Sequence, residues 1–344
     1  MDTLFDGHPS KFEPAVPRDL ERRASVSRPN SRGRHHPARL SLALQGGGSF
    51  GAFTWGVLDR LLEEEGLELD TVSGASAGAM NAIVLAAGLE AGGPVEARAR
   101  LDRFWHRIGT NSSLPTALSA LPAAATLLSP YLTNPLDLNP LRWAVDEEVD
   151  FERLRVNPPF RMLIAATNVK DGRLRLFREN EMTTNVILAS ACLPHIHRAV
   201  EIDGEAYWDG GFSANPPLRQ LALDSDARDV LLVQIMPEET AEVPHLSADI
   251  SRRTSAIAFN ASLHRELQAL DDLRSGCGGQ LLPTPICDKL QRLRLHTISA
   301  PAVIEGLERE SMLNTSIALM ERLKASGHAA ADQWIASEAA LLAA

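Results

Sequence analysis

The chain has 344 residues, 44% hydrophobic and 23% charged, which is enough to bury a sizeable core and ordinary for a globular protein. Its formal net charge of −10 and its 5% of aromatic residues argue against a nucleic-acid partner. The start lacks the pattern of a secretory signal, and no run of about 18 apolar residues would span a bilayer. We therefore expect a cytoplasmic protein, with peripheral contact to a membrane surface left open.

Residues 1–38 are rich in Pro, Arg, Ser and His and have little apolar periodicity, which predicts a disordered basic tail. Residues 1–39 hold eight Lys or Arg against five acids. A solvated tail is the favoured interpretation, and a weak tether to anionic lipid headgroups is the alternative.

Order begins at Leu40, where a short apolar run predicts a buried strand that ends in glycines. A helix over 52–65, a strand over 69–72 and a helix over 77–89 follow. This alternation predicts an α/β domain with a mostly parallel central sheet and flanking helices, over residues 39–236. Further strands are predicted at 161–167 and 230–236, and hairpin turns at 170–172 and 203–204. Residues 237–344 are expected to form a helical extension, with helices over 250–273, 302–323 and 333–342.

Residues 110–140 are nearly uncharged and rich in Ala, Leu, Pro, Ser and Thr. Two interpretations remain open: a pair of short core helices broken by prolines, or an apolar cap over a lipid site.

The three cysteines are Cys192, Cys277 and Cys287. Such a small, odd number predicts no disulfide framework, and the spacing matches no zinc site. No cluster of metal ligands is visible, so we expect neither a metal nor an organic cofactor.

A Gly-x-Ser-x-Gly pattern occurs at Gly74, Ser76 and Gly78, between a predicted strand and a predicted helix. The glycines allow the chain to reverse within one tight turn, so that the serine is strained and its Oγ exposed. The pattern therefore predicts a nucleophile elbow, although a tight turn into a packed helix has the same composition.

A glycine loop at Gly46, Gly47, Gly48, Ser49 and Gly51 joins the first strand to the first helix. Converging N–H groups of this kind hold either a phosphate or the oxyanion of an acyl-transfer intermediate. No lysine lies between Lys11 and Lys170, so a phosphate-binding loop is disfavoured. Its position just before the serine elbow favours an oxyanion hole.

A third motif, Asp209-Gly210-Gly211, follows a predicted strand. A carboxylate held there can accept the proton of Ser76 directly. Taken alone, the motif is also a common turn.

With these three motifs in this order, residues 40–236 resemble the patatin-like phospholipase family. The resemblance implies a three-layer sandwich in which a Ser76–Asp209 dyad cleaves lipid acyl esters, with an oxyanion hole around Gly47 and Gly48. The segment Asn215-Pro216-Pro217 also resembles the one that follows the family's Asp. A related acyl-transfer enzyme (a thioesterase, polyester depolymerase or acyltransferase) or a non-catalytic lipid-binding regulator is the alternative.

The chain departs from the family pattern at Phe50, where many members have Arg in the glycine loop. This departure puts phospholipid preference in question but not the dyad. In addition, His195 and His197 precede the Asp hairpin, so a Ser–His–Asp triad is the minority hypothesis.

Overall fold

The protein is described by a computed structural model that covers residues 39–110, 129–134, 136–277, 284–304 and 306–343. The predicted tail over 1–38 lies outside the described residues, and so does most of segment 110–140. A cap in that segment stays a prediction.

Within the described residues, a mixed sheet of eight strands forms the centre of the fold. The strands are β1 Arg39–Leu44, β2 Glu68–Gly74, β3 Arg161–Asn168, β4 Leu174–Phe177, β5 Val200–Ile202, β6 Glu205–Asp209, β7 Asp229–Gln234 and β8 Arg294–Ser299. Their order is β5-β6-β3-β2-β1-β7-β8, and β4 pairs with β3 outside this path. The strands β3, β2, β1, β7 and β8 are parallel neighbours, and the remaining strands join through antiparallel pairs.

Helices cover both faces of this sheet. They are α1 Gly51–Leu61, α2 Ala77–Thr110, α3 Pro130–Thr133, α4 Pro140–Glu148, α5 Phe151–Val156, α6 Thr184–Ser190, α7 Leu218–Asp224, α8 Ser247–Cys277, α9 Pro285–Arg292, α10 Ala300–Val303 and α11 Ile317–Ala343. The backbone of α2 departs from helical geometry at Gly92 and Gly93, where the sequence predicts a helix end. None of the described helices is apolar enough over a sufficient length to cross a membrane.

Strand β1 shows why the core has two layers. Leu40, Leu42 and Leu44 pack with α1, α2 and α11 on one face, and Ala43 packs with α7, α8 and α9 on the other. Because both faces are covered, the strand reads as a continuous apolar run, as buried parallel strands do. The predicted mostly parallel α/β fold is confirmed.

The two predicted hairpins are confirmed as the β3–β4 and β5–β6 turns. The helices predicted over 302–323 and 333–342 are wrong in their bounds, because α11 runs without interruption over Ile317–Ala343. Before it, Ser311 Oγ accepts the Leu313 N–H and Asn314 Oδ1 accepts the Ser316 N–H. Side-chain bonds of this kind compete with helical ones and hold the segment in turns.

The region after residue 236 also contributes a strand that the sequence analysis missed. Strand β8 pairs in parallel with β7 at the edge of the sheet. Its alternation of polar and apolar residues is short and includes His296 and Thr297, so it gives a weak pattern. The predicted boundary at residue 236 stays a prediction.

The expectation of no disulfide is wrong. Cys277, in the last turn of α8, is bonded to Cys287, in the first turn of α9, with Cα atoms 5.1 Å apart. The packing of α8 against α9 brings the two side chains together, which spacing alone does not reveal. Cys192 is free and buried.

Candidate active site

Ser76 occupies the sharp turn between β2 and α2. Its φ of 53° lies in the left-handed region that few non-glycine residues adopt, which is the strain expected of a nucleophile elbow. A Cβ on Gly78 would lie 2.0 Å from the Leu44 carbonyl oxygen, so a glycine is required for α2 to start against the end of β1. The Ser76 N–H donates to the carbonyl and the hydroxyl oxygens of Ser190, at 3.1 and 3.0 Å.

Strand register places Asp209 at the level of this serine. β2 pairs with β3 as far as the Gly74–Ile164 pair, and Asp209 pairs with Ala166, two residues further along β3. Ser76 is likewise two residues beyond Gly74. The serine and the carboxylate therefore lie at the same level along the strand direction.

The Asp209 side chain is completely buried. Its Oδ1 accepts the Gly211 N–H at 2.8 Å, and Thr167 Oγ1 donates to its backbone carbonyl at 2.8 Å. The Ser76 hydroxyl is close enough to the carboxyl to favour its ionised form. Oδ2 has no hydrogen-bond partner among the described residues, and it is the oxygen that remains available to a proton.

Burial raises the pKa of Asp209 to about 7 from its ordinary value of 3.8. The Gly211 N–H and the Ser76 hydroxyl oppose this rise because they stabilise the ionised form. A carboxyl with a pKa near neutrality is able both to take and to return a proton, as a general acid–base catalyst must.

Three of the N–H groups predicted to form the oxyanion hole are already in use. The Gly46 N–H donates to Asn215 Oδ1 at 2.7 Å, and the Ser49 N–H donates to the Met312 carbonyl at 2.8 Å. The Gly51 N–H turns back to carbonyls of its own loop. These three residues shape the loop, and their amides do not face a substrate.

The N–H groups of Gly47 and Gly48 make no hydrogen bond within the described part of the chain. They are the two residues after Gly46, and a Cβ on Gly46 would lie 2.7 Å from the Ser76 Cβ. Gly48 has a φ of 57°, and a Cβ there would lie 2.1 Å from the Met312 carbonyl oxygen. Two unused amide donors therefore stand in a tightly packed loop next to the serine.

Sequence reasoning missed the residues that hold these groups. Ser190 appears in the sequence only as part of an Ala-Ser-Ala run, and Thr167 only as the end of a strand. Met312 lies more than 260 residues from the loop it contacts, and nothing in its local sequence indicates the contact. Only the Asn-Pro-Pro segment carried a detectable signal at Asn215.

The two histidines lie on the loop before β5. His195 is exposed, and burial lowers the pKa of the half-buried His197. Neither imidazole forms a hydrogen bond to Ser76 or Asp209 among the described residues, and Asp209 draws its pKa-lowering contacts from Gly211 and Ser76 alone. The dyad stays a prediction.

Asp59, Glu63 and His328 could offer ligands to a metal ion, since their ligand atoms lie within 4.8 Å of one another. Arg98 already forms ion pairs with both acids. The group is therefore a charge-paired contact between α1 with the turn that follows it, α2 and α11, and no metal site is assigned to it.

Comparison with known families decides the identity of the fold. The family described as patatin-like phospholipase matches residues 42–222, which is more than half of the chain. The chain belongs to this family. Membership places the chain among lipid ester hydrolases. The match ends before α8, so β8 and the helices from α8 to α11 lie outside it.

Solved structures with similarity to this patatin-like chain include VipD from Legionella pneumophila, at 16% identity and a TM-score of 0.41, covering 88% of this chain and 67% of VipD. The type III effector ExoU is 17% identical with a TM-score of 0.34, covering 88% of this chain and 53% of ExoU. ExoU in its complex with SpcU, from Pseudomonas aeruginosa, is 17% identical with a TM-score of 0.33, covering 87% of this chain and 52% of that chain. This chain thus spans about two thirds of VipD and about half of ExoU. A search of curated proteins found no match.

Proposed function

We propose that this patatin-like protein is a serine lipid acyl hydrolase, with Ser76 as nucleophile and Asp209 as its base. One observation carries the proposal. A completely buried carboxyl with a pKa of about 7 interacts with a serine in strained elbow geometry. Neither feature stabilises the fold, and perturbed groups of this kind concentrate at functional sites.

The reaction would run in two halves. Asp209 takes the Ser76 proton while Oγ bonds to the acyl carbonyl carbon, and the N–H groups of Gly47 and Gly48 receive the oxyanion. The ester C–O bond then breaks, and the proton on Asp209 passes to the departing alcohol. In the second half, Asp209 takes a proton from water, the resulting hydroxide attacks the acyl-enzyme, and Ser76 recovers its proton as the fatty acid leaves.

The start of α2 helps to stabilise the negative charge of the oxyanion. Ala77 is the first residue of the helix, so the positive end of its dipole lies beside Ser76. With Phe50 in the glycine loop, that loop supplies no cation, and its contribution to the oxyanion comes from backbone N–H groups.

The proposal extends to peripheral contact with a lipid surface. Tyr131, Leu132 and Leu136 are 54%, 71% and 77% exposed. Arg198 donates to the Tyr131 carbonyl at 3.2 Å, and the loop that carries Arg198 also holds Asp209 through Cys192. Exposed apolar side chains beside a lipid-cleaving site suit a membrane surface better than water.

Incubation with a defined lipid mixture, followed by mass spectrometry, tests this function. We expect free fatty acid from the wild-type protein and none from folded Ser76→Ala. Transfer of the acyl chain to another alcohol would favour an acyltransferase, and release only from thioesters or polyesters would favour those rivals. An inert wild-type protein that still binds lipid would indicate a regulator.

A further inference from the structure

The side chain of Asn215 joins the glycine loop to the loop that carries Asp209. Its Oδ1 accepts the Gly46 N–H at 2.7 Å, and its Nδ2 donates to the Gly46 carbonyl at 3.1 Å. The carboxamide thus binds both polar groups of one residue, as a neighbouring strand would. Asn215 is completely buried, so water does not compete for either bond.

Asn215 is also tied to the base. The chain from Asp209 passes through a tight turn at Gly210–Phe212, and the N–H groups of Ser213 and Ala214 both donate to the Gly210 carbonyl. Asn215 is the next residue. The hydrogen-bonded turn after Asp209 therefore leads directly along the chain into Asn215, whose side chain binds Gly46.

Gly46 is in direct contact with the nucleophile. A Cβ on Gly46 would lie 2.7 Å from the Ser76 Cβ and 2.6 Å from the Ala75 carbonyl oxygen. Gly46 also precedes the two unused donors at Gly47 and Gly48. A shift of Gly46 would therefore move the oxyanion donors relative to both Ser76 and Asp209.

We propose that Asn215 is a positioning residue that fixes the oxyanion donors relative to the serine and its base. This proposal rests on the proposed function of the site. Asn215 touches no reacting atom, and it acts by holding Gly46 in place. Because the oxyanion exists only after Oγ has attacked, the loss of this residue should lower kcat and leave KM nearly unchanged.

Two variants separate the hydrogen bonds from mere packing. Asn215→Ala removes both bonds and leaves a cavity. Asn215→Asp keeps the size and an acceptor for the Gly46 N–H but loses the donor to the Gly46 carbonyl. On a short soluble ester we expect kcat to fall about 10²-fold in the first and at least about 10-fold in the second, with KM within about threefold.

Ser225→Ala is the matched control. Ser225 is also completely buried, and its hydroxyl contacts that of Ser41 at 2.7 Å. This contact lies near the amino end of β1, whereas the elbow lies at the carboxyl end of β2. This variant should be less stable than wild type but keep the wild-type kcat per folded molecule, with the folded fraction measured by circular dichroism. Wild-type kcat in folded Asn215→Asp, or equal rises in KM for both Asn215 variants, would overturn the proposal.

Amide hydrogen exchange on the wild-type protein provides a test that needs no variant and no turnover. The Gly46 N–H should exchange slowly, whereas those of Gly47 and Gly48 should become protected only after a fluorophosphonate has bonded to the serine. Rapid exchange at Gly46 would refute the Asn215 contact. Slow exchange in a protein that hydrolyses no ester would instead refute the proposed function.

Discussion

At the scale of single residues, the site depends on placing a carboxyl where water cannot reach it. Ser76, Asp209 and the glycines around them could be identified from the sequence because each motif requires particular residue types at fixed spacing. Their environment could not. The burial that raises the pKa of Asp209 comes from the fold around it, and the use of the Gly46 and Ser49 amides depends on Asn215 and Met312, which are distant in sequence.

This burial has a consequence for stability. The folded-state pKa of Asp209, about 7, lies above the unfolded value of 3.8, so the folded protein holds a proton that the unfolded chain releases between these pH values. The carboxyl therefore costs nothing below pH 4, and its cost grows as the pH rises to 7 and is complete above it. Each pKa unit corresponds to about 1.4 kcal/mol.

We expect Asp209→Asn to unfold with a free energy up to about 4 kcal/mol higher than wild type at pH 8, and the gap should close toward pH 4. Urea unfolding at a series of pH values measures it. Glu239→Gln, at an exposed carboxyl, controls for the removal of one negative charge. An Asp209→Asn protein less stable than wild type at pH 8, or a gap independent of pH, would contradict a raised pKa.

At the scale of elements, α11 lies directly on α1. A Cβ on Gly327 would lie 2.1 Å from the Phe53 carbonyl oxygen, and one on Gly56 would lie 1.9 Å from that of Lys324. Helix backbones approach this closely only at glycine. The segment just before α11 carries the Met312 carbonyl that holds Ser49, so the packing of α11 also affects the glycine loop.

The sequence predicted helices in this region but not their ends or their contacts. Gly327 lies in the interior of α11, where glycine is a poor helix former. A glycine is required there because only a residue without a Cβ allows α1 to approach. Likewise, β8 becomes a strand because β7 offers it an open edge. Long-range partners decide both outcomes.

Gly327→Ala should therefore destabilise the protein although alanine favours helices, because its methyl group forces α11 away from α1. We expect a loss of about 1–3 kcal/mol and a lower kcat on a soluble ester. Gly276→Ala adds the same methyl group to α8, where none of the described residues lies within 4 Å of it, and should be neutral or stabilising by up to about 1 kcal/mol. Equal thermal midpoints and equal kcat for the two variants would contradict the proposed contact.

At the scale of the whole molecule, the two ends of the parallel strands differ in role. At the carboxyl ends of β1 and β2, backbone strain and a buried carboxyl are assembled at a cost in stability. At the amino ends of β1 to β3, the buried Asp70 accepts from Arg39, Arg161 and the Asp226 N–H. Burial alone would raise the pKa of Asp70, but these partners together lower it, so this carboxyl stabilises the fold at neutral pH. The α/β pattern of the sequence predicted the sheet. Only the structure shows that the amino ends of the strands stabilise the fold and that the carboxyl ends carry the candidate active site.

The central claim is that Ser76 and Asp209 act as a dyad, and the rate of labelling by a fluorophosphonate, read by mass spectrometry of the modified peptide, tests it most directly. The wild-type protein should carry one adduct, on Ser76. Folded Asp209→Asn should react at least about 10²-fold more slowly than wild type because it lacks the base. His195→Ala and His197→Ala should react at close to the wild-type rate. An adduct on another residue, or a folded histidine variant as slow as Asp209→Asn, would contradict the dyad.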